Sequence, residues 1–188
     1  LNAIIGMLEL GTKKLHDGII DSTAFDVAYS SSNVLQELIC NILDISMIES
    51  EKLVIHYTEM ELRKTIEQII SLFRPGAFDN GIELVLLYPA KLDDIIVTTD
   101  ELRFRQVVSN IISNAIKFTN EGEVRVAVEC VNSQVTDVAL LQIAITDTGC
   151  GISPEGQQTL FRPFSQADIN GYSHQSGSGL GLLISRRL

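Results

Sequence analysis

Ile145-Thr-Asp-Thr-Gly-Cys-Gly-Ile152 closes an apolar run that begins at Val138. The run reads as a buried strand, with one acid, Asp147, at its exit and Gly149 and Gly151 just beyond. An ionised carboxylate only accepts hydrogen bonds. It therefore suits an exocyclic amine such as adenine's and would face an acceptor oxygen in guanine. Glycine lets a backbone approach a flat ring or turn with positive φ. Taken alone, D-x-G-x-G is unspecific, because a strand followed by a tight turn carries the same residues. Its meaning depends on the rest of the chain.

The chain has 188 residues, enough for one or two domains with a real core. A 45% hydrophobic content argues against disorder. With 24 acidic against 14 basic residues the net charge is -10, which disfavours nucleic acid as a partner. No apolar run is long enough to cross a bilayer, and no signal peptide is visible. Cys40, Cys130 and Cys150 are far apart and lack C-x-x-C spacing, so a reducing compartment is expected rather than a disulfide framework or zinc site. Leu1 is not an initiator methionine and Leu188 lies inside a helical pattern, so a fragment of a longer protein is expected.

Residues 1–50 read as two helices. The first carries Leu1, Ile5, Leu8 and Leu15, widened by Ile4. A break is expected at Asp17-Gly18, with Asp21 or Ser22 capping the next helix. That second helix carries Leu35, Leu38, Ile42, Ile45 and Glu49, with Val34, Ile39 and Ile48 beyond the stripe. Two helices cannot hide this much apolar surface, so a hairpin that dimerises into a four-helix bundle is expected. The alternative is packing on the following domain. Glu49-Ser50-Glu51-Lys52 marks the boundary, which divides the chain into residues 1–50 and 51–188.

Strands and helices then alternate. Strands are expected at Val54–Tyr57, Ile82–Leu87, Ile95–Thr98, Glu123–Cys130 and Val138–Thr146, the last two antiparallel. Helices are expected at Met60–Asp79, kinked or ended early by Pro75, at Asp100–Phe118, as a turn after Pro154, and from Leu180 to Leu188. Pro163–Ser178 reads as a mobile polar loop. The fold class is α+β: the hairpin, then an α/β sandwich with helices on one face of a mixed sheet.

The Asp100–Phe118 helix has two faces. Phe104, Val108, Ile111, Ala115 and Phe118 should meet the sheet. Arg103, Gln106, Asn110, Asn114 and Lys117 form a second, largely amide stripe. Solvent faces usually prefer Glu and Lys, because Asn is a poorer helix former. Asn carbonyls can ligate Mg²⁺ and Lys117 can meet phosphate. Amides that merely cap neighbouring loops would look the same. Further on, Gly177-Ser-Gly-Leu-Gly181 leads directly into a helix, an arrangement of backbone N–H groups suited to anions. It is neither a Rossmann fingerprint nor a P-loop, and a flexible linker would look similar.

The order of these pieces resembles the sensor histidine kinases over nearly the whole chain. Leu102–Thr119 looks like their N box and Asp147–Ile152 like the G1 box. Phe161–Asp168 looks like the F box of hybrid kinases, and Gly177–Leu182 like the G2 box. Leu1–Leu10 resembles the helical segment just after the phosphoacceptor motif, and Asn41–Ser46 the second helix of the dimerisation hairpin. The BvgS-like hybrids are nearest in character.

The resemblance implies a dimerisation and histidine-phosphotransfer hairpin followed by a Bergerat-type (GHKL) ATP-binding domain. ATP and Mg²⁺ are the implied cofactors. Asn114 is implied as metal ligand, with Asn110 in support, and Lys117 at phosphate. Asp147 is implied at the adenine amine, with Gly149 and Gly151 shaping the base pocket and Gly177, Gly179 and Gly181 framing the phosphates. Phe118, Ile152 and Leu180 complete the implied ATP contacts, while Phe161 and Phe164 anchor the lid base. A homodimer and a receiver domain are the implied partners. The implied location is the cytoplasmic side of an inner-membrane sensor, with membrane contact only through upstream segments.

Some features depart from that pattern. The phosphoacceptor histidine is expected upstream of Leu1, so the chain is expected to bind nucleotide without phosphorylating itself. His16-Asp17 is followed by Gly18-Ile-Ile20 rather than a basic-Thr-Pro run and is rejected as a substitute. His56 reads as structural and His174 as an exposed loop residue. Ser173 and Ser176 stand where many hybrids carry a basic residue and a glycine, and the family's last strand is absent after Leu188. A degenerate module that dimerises and binds a receiver without ATP turnover is the main rival. Chaperone or mismatch-repair ATPases of the superfamily rank lower, because they place a catalytic Glu in the N-box helix, where this chain has Asn110 and Asn114.

Overall fold

The computed structural model describes residues 2–16, 22–132, 139–165 and 179–188. The chain divides into two compact units, Leu1–Leu53 and Val54–Leu188. In the first, α1 (Asn2–His16) packs against α2 (Ser22–Glu49). Gly11 permits the approach: a Cβ there would lie 3.1 Å from Phe25 Cζ. Ala24, Ala28 and Asn41 are buried on α2, whereas Phe25, Val34, Ile39, Ile42 and Leu43 are exposed. Leu35, Leu38 and Ile45 of the same helix are half-buried, so Ile42 is the apolar residue of that stripe left exposed in the single chain. The expected break at Asp17-Gly18 and the Asp21 cap lie outside the described residues.

The second unit holds β1 (Thr58–Glu61), α3 (Leu62–Asp79), β2 (Ile82–Leu87), β3 (Ile96–Thr99), α4 (Glu101–Phe118), β4 (Gly122–Asn132), β5 (Ala139–Asp147), α5 (Pro154–Thr159) and α6 (Gly181–Arg187). The main sheet runs β2-β4-β5 and is mixed, as expected. β2 is parallel to β4, with Ile82 opposite Gly122, and β5 is antiparallel to β4, with Val124 opposite Asp147. β1 and β3 form a separate antiparallel pair, with Met60 opposite Val97.

One face of the main sheet carries the core. Val124, Val126 and Val128 of β4 alternate inward, as a period of two requires. Leu62, Ile66, Ile69 and Ile70 of α3 and Val108 and Ile112 of α4 join that core. Each such side chain contributes about 1.5–3 kcal/mol when fully buried.

Three local expectations are corrected, and for α3 the end at Asp79 holds over an early stop at Pro75. The first strand is not Val54–Tyr57 but Thr58–Glu61, and the helix starts at Leu62 instead of Met60. Val54 and Tyr57 are exposed, whereas Met60 is buried against the core. Pro75 does not end α3, which runs on to Asp79. Pro75 is exposed, so the Ser71 carbonyl it deprives of a partner lies where water can reach it. The helix closes through Asn80, whose Nδ2 donates to Gly76 O at 2.9 Å, and Gly81, which has φ 70°. On α4, Ile112 is fully buried while Ile111 is half-buried, so Ile112 is the residue that meets the core.

The start of α4 is fixed by Asp100, which is buried. Its Oδ1 accepts the Arg103 backbone N–H at 3.1 Å as an N-cap, and its Oδ2 accepts the His56 backbone N–H at 2.9 Å. One carboxylate thereby joins the segment before β1 to the helix. The His56 N–H, and after it the Arg103 N–H, hold the Asp100 carboxyl below its ordinary value of 3.8.

Ile112→Ala should cost about 2–5 kcal/mol, and Ile111→Ala much less, in paired urea melts. Asp100→Asn should lower the Tm by about 5 °C at neutral pH. Because the folded pKa is depressed, the Asp100 contribution is complete above the unfolded value and lost as pH falls through the folded one. The Tm gap between wild type and Asp100→Asn should therefore narrow on acidification below about pH 4, as thermal melts across pH would show.

Candidate functional site

Two contact points on α4 organise the predicted site residues. The first is at Asn110. Gly181, the first residue of α6, lies so close that a Cβ there would be 2.3 Å from Asn110 Oδ1. Asn110 Nδ2 donates to Ser185 Oγ at 2.8 Å, and Asn114 Nδ2 reaches Asn110 Oδ1 at 3.5 Å. Further along the stripe, Arg103 Nη1 donates to Gln106 Oε1 at 2.8 Å. Lys117 places its ammonium 4.9 Å from the centre of the Phe118 ring.

The second contact point is at Phe118, the last residue of α4. Its carbonyl oxygen accepts the Cys150 backbone N–H at 3.3 Å. A Cβ on Gly149 would lie 2.3 Å from that same oxygen and 2.8 Å from Asp147 Oδ1. Gly149 is therefore required by a close approach, not by its own dihedral angles. Asp147 ends β5 and is exposed. Its Oδ1 accepts the Gly149 N–H at 2.9 Å, a local turn that fixes the carboxylate. Oδ2 makes no hydrogen bond among the described residues and is available to a donor. Gly151 has φ 71° with open space around it, and Ile152 beside it is exposed. Asn110 and Phe118 are eight residues apart, about 12 Å along the helix. That is comparable with an extended nucleotide.

The remaining predicted residues flank the Asn110 end. Leu180 is fully buried at the start of α6. Gly179 has φ 66°, and a Cβ there would come within 3.0 Å of the Phe164 backbone. Phe164 itself takes the left-handed φ of 56°, uncommon for a bulky residue. Phe161 lies under Arg186, whose guanidinium carbon is 4.9 Å from the ring centre. The residues around 165 and 179 are thus held together and joined to α6. Gly177, Ser173, His174 and Ser176 lie outside the described residues, and so does the rest of the Pro163–Ser178 loop beyond Ser165.

Two contributors escape a reading by sequence. Ser185 meets Asn110 across 75 positions, and no motif marks it. Thr148, between the acid and the first glycine, accepts the Glu123 N–H at 3.0 Å through Oγ1 and ties the loop to β4. Its hydroxyl is the one local clue, since Thr at a turn often bonds backbone.

Residues 99–188 match the model of the histidine kinase-, DNA gyrase B-, and HSP90-like ATPases. Across all of its length the chain is 45% identical to the virulence sensor protein BvgS of Bordetella pertussis, over 190 residues. The chain carries a histidine kinase-type ATPase domain. It spans 15% of the length of that BvgS relative. The fold agrees with solved histidine kinases. The Acinetobacter baumannii kinase AdeS superposes with a TM-score of 0.69 at 22% identity, covering 98% of this chain and 82% of that one. Full-length ShkA, solved in complex with AMPPNP, gives a TM-score of 0.69 at 25% identity, covering 88% of this chain and 32% of that one. In this histidine kinase-type domain, the two contact points of α4 lie on the Gly149–Cys150 turn after β5 and on Gly181 and Ser185 of α6.

Gly149→Ala should destabilise the domain by about 1–3 kcal/mol, because the Phe118 carbonyl must move. Gly76→Ala, on α3 with nothing within 4 Å of the added methyl, should stabilise it by about 0.5–1 kcal/mol. Opposite Tm shifts for the same chemical change would confirm that the approach at Phe118 is tight.

Proposed function

We propose that the chain is the kinase core of a hybrid sensor histidine kinase. It binds Mg·ATP and passes the γ-phosphoryl to a histidine upstream of Leu1, from which a receiver aspartate is charged. The observation that carries this reading is the double contact of α4. Its amides meet the glycine turn into α6 at Asn110, and its C-terminus meets the glycine loop after Asp147 at Phe118.

The base lies at the Asp147 end in this reading. Asp147 Oδ2 accepts the adenine amine, while the Oδ1 bond to Gly149 keeps the carboxylate from rotating. Gly151 and Ile152 flank the ring. The phosphates lie toward Asn110, where Gly179, Leu180 and Gly181 bring the backbone close and Lys117 supplies a point charge; Gly177 is assigned to the same phosphate turn from its motif alone. Magnesium is compatible with these residues. Asn114 offers one hard oxygen, and among the described residues no cluster of three acids, histidines or cysteines competes for a metal. Such a site suits an ion that keeps phosphate and water in most of its shell. When bound, magnesium neutralises phosphate charge.

Transfer breaks the bond from Pγ to the β–γ bridging oxygen and forms a P–N bond to the acceptor imidazole. ADP leaves and the ring proton passes to water. Positioning and charge neutralisation carry most of the catalysis in such reactions, which fits a site without its own nucleophile. The exposed Ile39, Ile42 and Leu43 of α2 support a homodimer through a four-helix bundle. Residues 1–50 are proposed as a phosphotransfer hairpin and 51–188 as the catalytic domain. No helix among the described residues is long and apolar enough to cross a membrane. A cytoplasmic setting with an upstream membrane anchor is part of the proposal.

Asp147→Asn should weaken ATP binding at least about tenfold with the Tm nearly unchanged, by titration calorimetry with a nonhydrolysable analogue and Mg²⁺. Unchanged affinity would sink the adenine assignment. No binding by the wild-type chain would favour the rival, a module that does not use ATP. In the same preparation γ-labelled ATP should leave no label at His16.

A further inference from the structure

The contact between α4 and α6 has a direction. Asn110 commits its NH₂ group to Ser185 Oγ, 2.8 Å away. Its oxygen is then turned the other way and receives Asn114 Nδ2 at 3.5 Å. Donation therefore runs from Asn114 to Asn110 to Ser185. An amide carries a donor end and an acceptor end of nearly equal shape, so a half-turn about its last bond reverses its chemistry without moving its outline. Ser185 stands at the end of the row. Its hydroxyl can donate as well as accept, and here it accepts the Asn110 NH₂, the order that leaves the Asn110 oxygen to Asn114.

We propose that Ser185 is a positioning residue. By fixing the Asn110 amide it fixes Asn114 too, so that Asn114 presents its carbonyl oxygen, not its NH₂, to a cation carried by the nucleotide phosphates. This rests on the nucleotide reading above. A divalent cation takes hard oxygen ligands, and a reversed Asn114 would aim two N–H donors at it. Gly181 makes the arrangement possible, because any larger residue there would press on Asn110 Oδ1. Arg186 stacks on Phe161 and holds α6 by a separate contact. Loss of the Ser185 hydroxyl therefore leaves α6 in place and removes only the orienting bond.

The test compares wild type, Ser185→Ala and Ser185→Thr. In nucleotide-free protein, the Asn110 side-chain NH₂ resonance should shift in Ser185→Ala and return toward its wild-type position in Ser185→Thr. A nonhydrolysable ATP analogue is then titrated with Mg²⁺ and with EDTA. Ser185→Ala should lower affinity in Mg²⁺ by about fivefold while leaving the EDTA value within about twofold, and Ser185→Thr should recover most of the loss. Equal loss in both conditions, the mark of a merely structural role, would overturn the proposal, as would no change in either. If wild type binds no nucleotide, or binds it equally with and without Mg²⁺, the nucleotide reading fails and the inference with it. Intact magnesium-dependent binding in wild type together with an unaffected Ser185→Ala sinks the inference alone.

Discussion

Ile112 has no exposure to solvent, and its burial fixes the rotation of α4 about its own axis. Val108 and Ala115 sit beside it on the sheet side. At about 100° per residue, Asn110 and Asn114 each lie about 160° from Ile112 and only about 40° from one another. Seating one isoleucine in the core therefore directs two amides away from the sheet. Asp100 holds the start of the helix and the Cys150 N–H its end. The chemistry of the site thus inherits its orientation from hydrophobic packing, and little adjustment is left to the side chains.

The way these amides are arranged also matters for electrostatics. The chain carries a net charge of -10, so its overall field does not draw in a polyanion. Attraction has to be local. Lys117 provides one full charge near the end of α4. Neutral amides add oxygen for a cation without adding another negative charge. Under the proposed function, a site built this way would depend on the cation that arrives with its ligand, where a basic cleft would not.

Much of the fold is legible in the sequence because the relevant patterns are local. Asp100–Phe118 shows its helical period outright, and Asn80-Gly81 and Asn120-Glu121-Gly122 announce their turns. The reading departs from the structure where local patterns are degenerate. Ile111 and Ile112 are adjacent, and a step of three or of four from Val108 fits the period equally well. Thr58, Glu59 and Glu61 offer no apolar alternation, yet they pair with β3, whose position nearly 40 residues later no local window contains. The stretch Val54–Tyr57 looks more strand-like but has no partner strand among the described residues. Pro75 removes a hydrogen bond whose orphaned carbonyl, on Ser71, faces water in the fold, and that exposure cannot be read from the residue itself. The bond between Ser185 and Asn110 is likewise a product of the fold, since neither residue carries a mark of the other.

The contact at Phe118 sets a limit on heredity. Its carbonyl faces Gly149 and Cys150 at a fixed distance, and Asn114 stands four residues, about one helical turn, before it. Inserting or deleting a single residue between them would rotate one relative to the other by about 100° and shift it by about 1.5 Å. Either the amide would leave the face that meets α6, or the carbonyl would leave the loop after β5. Substitutions along this turn can be absorbed one at a time, whereas changes of length cannot. The four-residue interval is therefore a stricter constraint on divergence than the identity of most side chains within it.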